Sequence, residues 1–257
     1  MPNLYTACWT MNNSDFGTKN RINALERVAL TADTSLKVMG RIAGGDFQRL
    51  LIVPEYFFES GSGLLSRDQK HDIYNQLIKI SARVPDLILV AGSIAYGKGK
   101  NTKKTFNVCP ILHKGEIVKK LYKANDDGVY ETNGSFCTKT GGSKGVPVVT
   151  INGVTIGLDI CMDYNNDRLA KYLKKHSLGD PDVHIQISGS NNSSRGRSVA
   201  KDGGVYVHCD QGGKGTNGAT AWRITSRVGL NAGTTQIQPV ETQNPGIGRV
   251  MFFNTAI

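Results

Sequence analysis

The stretch Val154-Thr-Ile-Gly-Leu-Asp-Ile-Cys161-Met-Asp163 decides how the rest of the chain is read. Residues 154–160 are largely apolar and β-branched. They follow Asn152-Gly153, a strong hairpin-turn pair, and so read as a buried strand. Cys161 falls at its end. A polar cluster at residues 163–167 comes next, and then a helical pattern over 168–176. A thiol at a strand-to-helix turn stands at a sheet edge, and the partial positive charge of a helix N-terminus favours thiolate over thiol. That is the place for a cysteine nucleophile. A packed core cysteine is the competing reading, since free cysteine is among the most buried residue types.

Working outward, residues 146–151 supply the other strand of that hairpin. A second hairpin, 106–113 and 116–122, flanks Lys114-Gly115. Ahead of it the pattern alternates: strand 4–9, helix 21–39, strand 50–54, helix 67–84, strand 87–91. Behind Cys161 a helix is expected to about residue 178, then a strand at 183–188, a short helix around 197–201, a strand at 205–209 and a β-rich end over 221–253. This order argues a layered α/β fold. With no repeat, low-complexity block or linker, residues 1–257 are expected to form one domain.

Composition narrows the class. The chain is 39% hydrophobic and 20% charged, as a soluble globular protein is. Its net charge is +10 and its pI about 9.4, which permits an anionic partner. The basic residues are scattered, however, with short clusters at 98–104, 119–123 and 171–175. No RNP signature or zinc-finger spacing accompanies them, so a nucleic-acid partner is not expected. Cys8, Cys109, Cys137, Cys161 and Cys209 are odd in number and widely spaced, without C-x-x-C; they form neither a disulfide framework nor a zinc site. A reducing, cytoplasmic setting is the default. The N-terminus lacks a signal-peptide pattern, and no apolar run reaches membrane-spanning length. The glycine-rich residues 212–218 match no phosphate-binding motif. His71, His113, His176, His184 and His208 show no metal spacing, and His184 and His208 read as ordinary core-edge residues. No metal or cofactor is expected.

Three stretches share a trait: a reactive residue directly follows an apolar strand. They are Glu55 after 50–54, Lys123 after 116–122 and Cys161 after 154–160. Sites in α/β sheets gather at the carboxyl ends of strands. Singly each residue is weak, because such a Glu or Lys is usually solvated. Together they supply a nucleophile, a base and a cation for an oxyanion.

With those residues in hand the chain resembles the nitrilase, or carbon–nitrogen hydrolase, superfamily, which uses a Glu-Lys-Cys triad. Its glutamate segment is similar to Leu51-Ile-Val-Pro-Glu55-Tyr-Phe-Phe, its lysine segment to Gly115-Glu-Ile-Val-Lys-Lys-Leu-Tyr-Lys123, and its cysteine segment to Gly157-Leu-Asp-Ile-Cys161-Met-Asp163. Val90-Ala-Gly-Ser93, Thr105-Phe-Asn107 and Ser188-Gly-Ser-Asn191 add supporting matches in family order, over about residues 1–235. Departures are Ala124-Asn125 where the family often has a histidine, Met162 where it has an aromatic, and Tyr164-Asn-Asn-Asp167 in place of an Arg-Phe-Pro-Glu-like run.

The resemblance implies an α-β-β-α sandwich and hydrolysis of a non-peptide C–N bond in a small-molecule amide. A carbamoyl compound or nitrile is the alternative on the same triad. It also implies a homodimer of sandwiches. Cys161 would be the nucleophile, Glu55 the proton carrier, and Lys123 with the backbone N–H of Met162 the oxyanion donors. Glu131 fits the family's second glutamate, which positions the lysine and substrate. Asp163 is expected to order the turn after the cysteine. Arg168, Arg195 and Arg197 are candidates for a substrate carboxylate, with surface placement the competing reading. The rival from another class is a nitrilase-fold binding protein using its basic surface; a complete triad argues against it.

Overall fold

The computed structural model describes residues 3–11, 18–59, 64–98, 104–125, 135–138, 145–189, 195–211, 218–228, 231–243 and 248–255. The chain begins β1 (Asn3–Thr10), α1 (Thr18–Ala43), β2 (Phe47–Val53), α2 (Arg67–Arg83), β3 (Leu87–Ala91), β4 (Ile94–Lys98), β5 (Lys104–His113), β6 (Glu116–Tyr122) and β7 (Ser135–Phe136). It continues β8 (Val148–Ile151), β9 (Val154–Ile160), α3 (Met162–Asn165), α4 (Arg168–Lys175), β10 (Val183–Ser188), a single 3-10 turn (Arg195–Arg197), β11 (Val205–Asp210), β12 (Ala219–Val228), β13 (Asn231–Ile237), β14 (Glu241–Gln243) and β15 (Arg249–Asn254).

Two sheets result. One runs β14-β15-β1-β2-β3-β5-β4, with β6 and β7 also paired to β5; the other runs β13-β12-β11-β10-β9-β8. β1, β2 and β3 are parallel, as are β9, β10 and β11. Parallel strands are covered on both faces, which is why these segments read as unbroken apolar runs. Alternation then sorts their side chains. In β2, Leu51 and Val53 pack beneath the helices with Leu25, Leu36, Ile73 and Leu77 from α1 and α2. Leu50 and Ile52 face the other sheet, meeting Ile156, Leu158, Ile185 and Val207. On the far side of the second sheet, Leu169 and Leu173 of α4 pack with Val199, and Tyr164 of α3 with Tyr206 and Trp222. α4 lies close because Gly157 leaves room for it: a Cβ there would be 2.5 Å from Leu169 Cδ2. The layers are helices, sheet, sheet, helices.

Several boundaries differ from the sequence reading. α1 is longer than 21–39, and at its C-terminal end Arg41, Ile42 and Ala43 are exposed, so no buried period marks the extension. α2 starts where a capping box fixes it, Ser66 and Gln69 bonding each other's backbone N–H. β4 is a short strand the sequence did not give away, holding one glycine in five residues. The helix expected around 197–201 is only the 3-10 turn, and the helix after Cys161 is two pieces that end at Lys175. The C-terminal β15 pairs antiparallel with β1, which closes the end of the chain onto the first sheet.

Candidate active site

Glu55, Lys123 and Cys161 each stand just past a strand end, after β2, β6 and β9. Glu55 and Lys123 meet: Lys123 Nζ is 3.1 Å from Glu55 Oε1, with both side chains 0% exposed. Two charges taken out of water in this way must satisfy each other and recruit further hydrogen bonds. Asn107 Nδ2 donates to Glu55 Oε1 at 2.9 Å, and Asn107 O accepts the Lys123 backbone N–H at 2.9 Å. Lys123 Nζ also donates to Tyr56 Oη at 3.3 Å and lies 5.5 Å from the centre of that ring.

The turn after Glu55 is unusual. Tyr56 has φ +54°, a left-handed conformation that few side chains adopt. Its N–H is accepted by Ser93 Oγ at 3.0 Å. Ser93 gets there because Gly92, at φ +73°, lets the chain pass where a Cβ would sit 2.5 Å from Pro54 O. The matched segments around Ser93 and Asn107 therefore brace Glu55.

Cys161 is the N-cap residue of α3, at φ +48° and ψ −105°. Backbone strain of this kind costs about 1–3 kcal/mol and persists only where surroundings enforce it. Here its N–H donates to Ile187 O of β10 at 2.8 Å, while its O accepts from Tyr164 N at 3.0 Å. Its side chain is 8% exposed.

Asp163, fully buried, links the cysteine turn to the lysine. Its Oδ1 accepts the N–H groups of Ala124 at 2.9 Å and Asn125 at 2.8 Å, and Asn125 Nδ2 at 2.9 Å. Arg168 donates Nη1 to Asp163 Oδ2 at 2.6 Å and to Tyr122 O at 2.8 Å. Burial raises the Asp163 carboxyl above its ordinary value, with Arg168 pulling it back. The expected turn-ordering role of Asp163 thus extends to the strand that carries Lys123.

The remaining sequence candidates fall elsewhere. Arg168 is a clamp on Asp163. Arg197 is half exposed and bonds Asn165 O beside Asp167. Arg195 is exposed. Glu131 lies outside the described residues. Met162, half-buried, opens α3. His184 and His208 are buried in polar company on the outer face of the second sheet. His184 Nδ1 accepts Val199 N at 3.1 Å, so its Nε2 donates to Asp159, also at 3.1 Å. His208 Nε2 lies 2.7 Å from Ser188 Oγ, which donates to Asp210. Residues the sequence did not single out are Tyr56, Arg21 and Gln211, all of which touch the Glu55 turn. Among the described residues no group of three or more His, Cys, Asp or Glu side chains could hold a metal ion, and no helix is long and apolar enough to cross a membrane.

No protein-family model matches the sequence, and no curated protein does. Solved structures do match. An amidase from Nesterenkonia sp. superposes with a TM-score of 0.65 at 13% identity, over 100% of this chain and 90% of that one. Saccharomyces cerevisiae Nit3, described as a nitrilase superfamily member, gives 0.58 at 16% identity, over 98% and 89%. Glutamine-dependent NAD+ synthetase from Acinetobacter baumannii gives 0.55 at 12% identity, where 91% of this chain covers 40% of the larger protein. At these identities the likeness is one of fold, and the fold of this chain is the nitrilase-superfamily α-β-β-α sandwich.

Proposed function

We propose that residues 1–257 form a single carbon–nitrogen hydrolase domain that cleaves a small-molecule amide through a thioester on Cys161. The observation that carries this reading is the fully buried contact of Lys123 Nζ with Glu55 Oε1, opposite a strained cysteine turn tied to the same lysine segment. A buried ion pair is a poor way to stabilise a fold, and an apolar pair of equal volume serves better, so its presence at three converging strand ends argues for chemistry. Among the fold neighbours, a glutamate-to-glutamine mutant of the Nesterenkonia amidase shows Michael addition of acrylamide at its active-site cysteine.

In this reading Glu55 takes the Cys161 thiol proton, and the thiolate attacks the amide carbon. The oxyanion forms between the Lys123 ammonium and a backbone N–H. The N–H of Cys161 is already donated to Ile187, so the donor is that of Met162, at the start of α3, where N–H groups lack intrahelical partners. Glu55 returns its proton to the departing amine as the C–N bond breaks. It then deprotonates the water that attacks the thioester, and the thiol regains a proton as the acid leaves. Glu131 would position Lys123 and the substrate.

Ammonia release from a panel of short aliphatic and aromatic amides tests the proposal, together with intact-protein mass spectrometry for an acyl adduct. Turnover that disappears in both Cys161→Ala and Glu55→Gln, with an acyl adduct of the parent mapping to Cys161, supports it. Ammonia release that survives Cys161→Ala refutes it.

A further inference from the structure

Three side chains hold the backbone of the Glu55 turn, and each comes from a different part of the chain. Ser93 takes the Tyr56 N–H. Arg21 of α1, 5% exposed, donates to Phe57 O at 2.8 Å. Gln211 donates its side-chain amide to the carbonyl of Glu55 itself. A carbonyl only accepts, so the amide nitrogen must be the atom that faces it.

Gln211 differs from the other two in origin. It directly follows β11, in the sheet that carries Cys161, whereas Glu55 belongs to the opposite sheet. Two residues earlier, Cys209 points the same way and reaches Ile52 O at 3.6 Å and Trp9 O at 3.5 Å. The backbone N–H of Gln211 is bonded to Ser188 O at 3.2 Å, and the preceding residue, Ile187, accepts the Cys161 N–H. A short run of contacts therefore connects the two groups: Cys161 to Ile187, Ser188 to Gln211, Gln211 to Glu55. Gly189, next along, presses on the same turn, where a Cβ would lie 3.1 Å from the Tyr56 ring.

We infer that Gln211 is a positioning residue, which sets the Glu55 carboxylate relative to the Cys161 thiol by holding the Glu55 carbonyl across the sheet–sheet interface. The inference rests on the hydrolase reading, in which Glu55 and Cys161 exchange a proton. A nearby carboxylate disfavours thiolate, so moving or removing it lowers the thiol pKa while Lys123 remains to favour the anion.

The test is the pH–rate profile of Cys161 alkylation by iodoacetamide, followed by peptide mass spectrometry. Glu55→Gln should speed alkylation several-fold at neutral pH. Gln211→Met, which keeps the volume and loses the donor, should shift the profile the same way. Gln211→Asn, one methylene short, is the milder change and should shift it less. Ile224→Val, a core change on the outer face, should leave it where the parent has it. A shift in Glu55→Gln with a parent profile in both Gln211 variants overturns the inference and leaves the hydrolase reading standing. A parent profile in Glu55→Gln overturns both.

Discussion

Asp163 Oδ1 accepts the backbone N–H of Ala124 at 2.9 Å, so the second residue after Cys161 is tied to the first residue after Lys123. The tie crosses between the sheets. It makes the separation of the cysteine turn and the lysine strand a property of one buried carboxylate and the Arg168 that balances it.

Asp163→Ala should therefore cost on the order of 3–5 kcal/mol, the usual penalty for stranding one member of a buried pair. The N–H groups of Ala124 and Asn125 would also lose their acceptor. Asp163→Asn keeps one acceptor oxygen and should fall between. Denaturant midpoints measure both, and an alanine variant as stable as the parent would show that the tie holds nothing.

Cys161 should be the first thiol to react with iodoacetamide near neutral pH. Cys8, Cys109 and Cys209 are 0% exposed. Burial pushes the Cys109 and Cys209 thiols upward, and Glu55 adds to the effect at Cys109. Half-buried Cys137 is the only competitor among them by access, and it should label more slowly. Time-resolved peptide mapping decides; early label on Cys109 or Cys209 would mean that the fold opens more readily than its burial implies.

His208 should make stability depend on pH. Burial pushes it down to about 4, with Asp210 pulling the other way. The unfolded imidazole takes a proton near pH 6.5, so between those values the unfolded chain binds more protons than the folded one. Stability should fall as pH drops from about 6.5 toward about 4, by on the order of 3 kcal/mol from this group. His208→Gln keeps an N–H for Ser188 without titrating. Denaturant midpoints of the two proteins should converge or cross through that window, and parallel curves would remove His208 from the account.

What the sequence made legible was what strands write locally. The apolar runs ending at Pro54 and Ile160 located Glu55 and Cys161, and the Asn152-Gly153 turn set the hairpin whose second strand leads to Cys161. What it hid depends on contacts between distant elements. Arg21 and Gln211 are polar residues distinguished by reaching the same turn, one from helix α1 and the other from the end of β11 in the second sheet. The outer face of the second sheet was legible only in part. His184 and His208 read as core-edge residues, and the structure buries both, together with Gln186 and Ser188, which alternate with apolar residues as solvent-facing positions do. α1 was underestimated at its C-terminal end because Arg41, Ile42 and Ala43 are exposed there and carry no buried period.

The assignment of Lys123 over its neighbours rests on a register the structure makes explicit. β6 sends Leu121 into the space between the sheets and Tyr122 beneath the helices. Lys120, exposed, shares the side of Tyr122, and its Nζ lies 4.7 Å from the Tyr74 ring centre. Lys119 shares the side of Leu121 and Lys123 but stays half-buried, and burial together with Arg168 lowers its pKa. A strand rises about 3.3 Å per residue, so four positions separate the Lys119 and Lys123 backbones by roughly 13 Å. That is too far for one ammonium to replace the other at an oxyanion. Lys123→Met should slow acylation on the order of 10²-fold or more, as loss of a principal oxyanion donor does. It should also lower stability, because Glu55 is left buried without its counter-charge. Lys119→Met and Lys120→Met should stay within a few fold of the parent. Single-turnover acylation of Cys161 by p-nitrophenyl acetate, with folding checked by circular dichroism, separates the three. A folded Lys123→Met that acylates like the parent, beside an inactive Lys119→Met or Lys120→Met, would move the cation to a different lysine and undo the pairing with Glu55 on which the proposed chemistry depends.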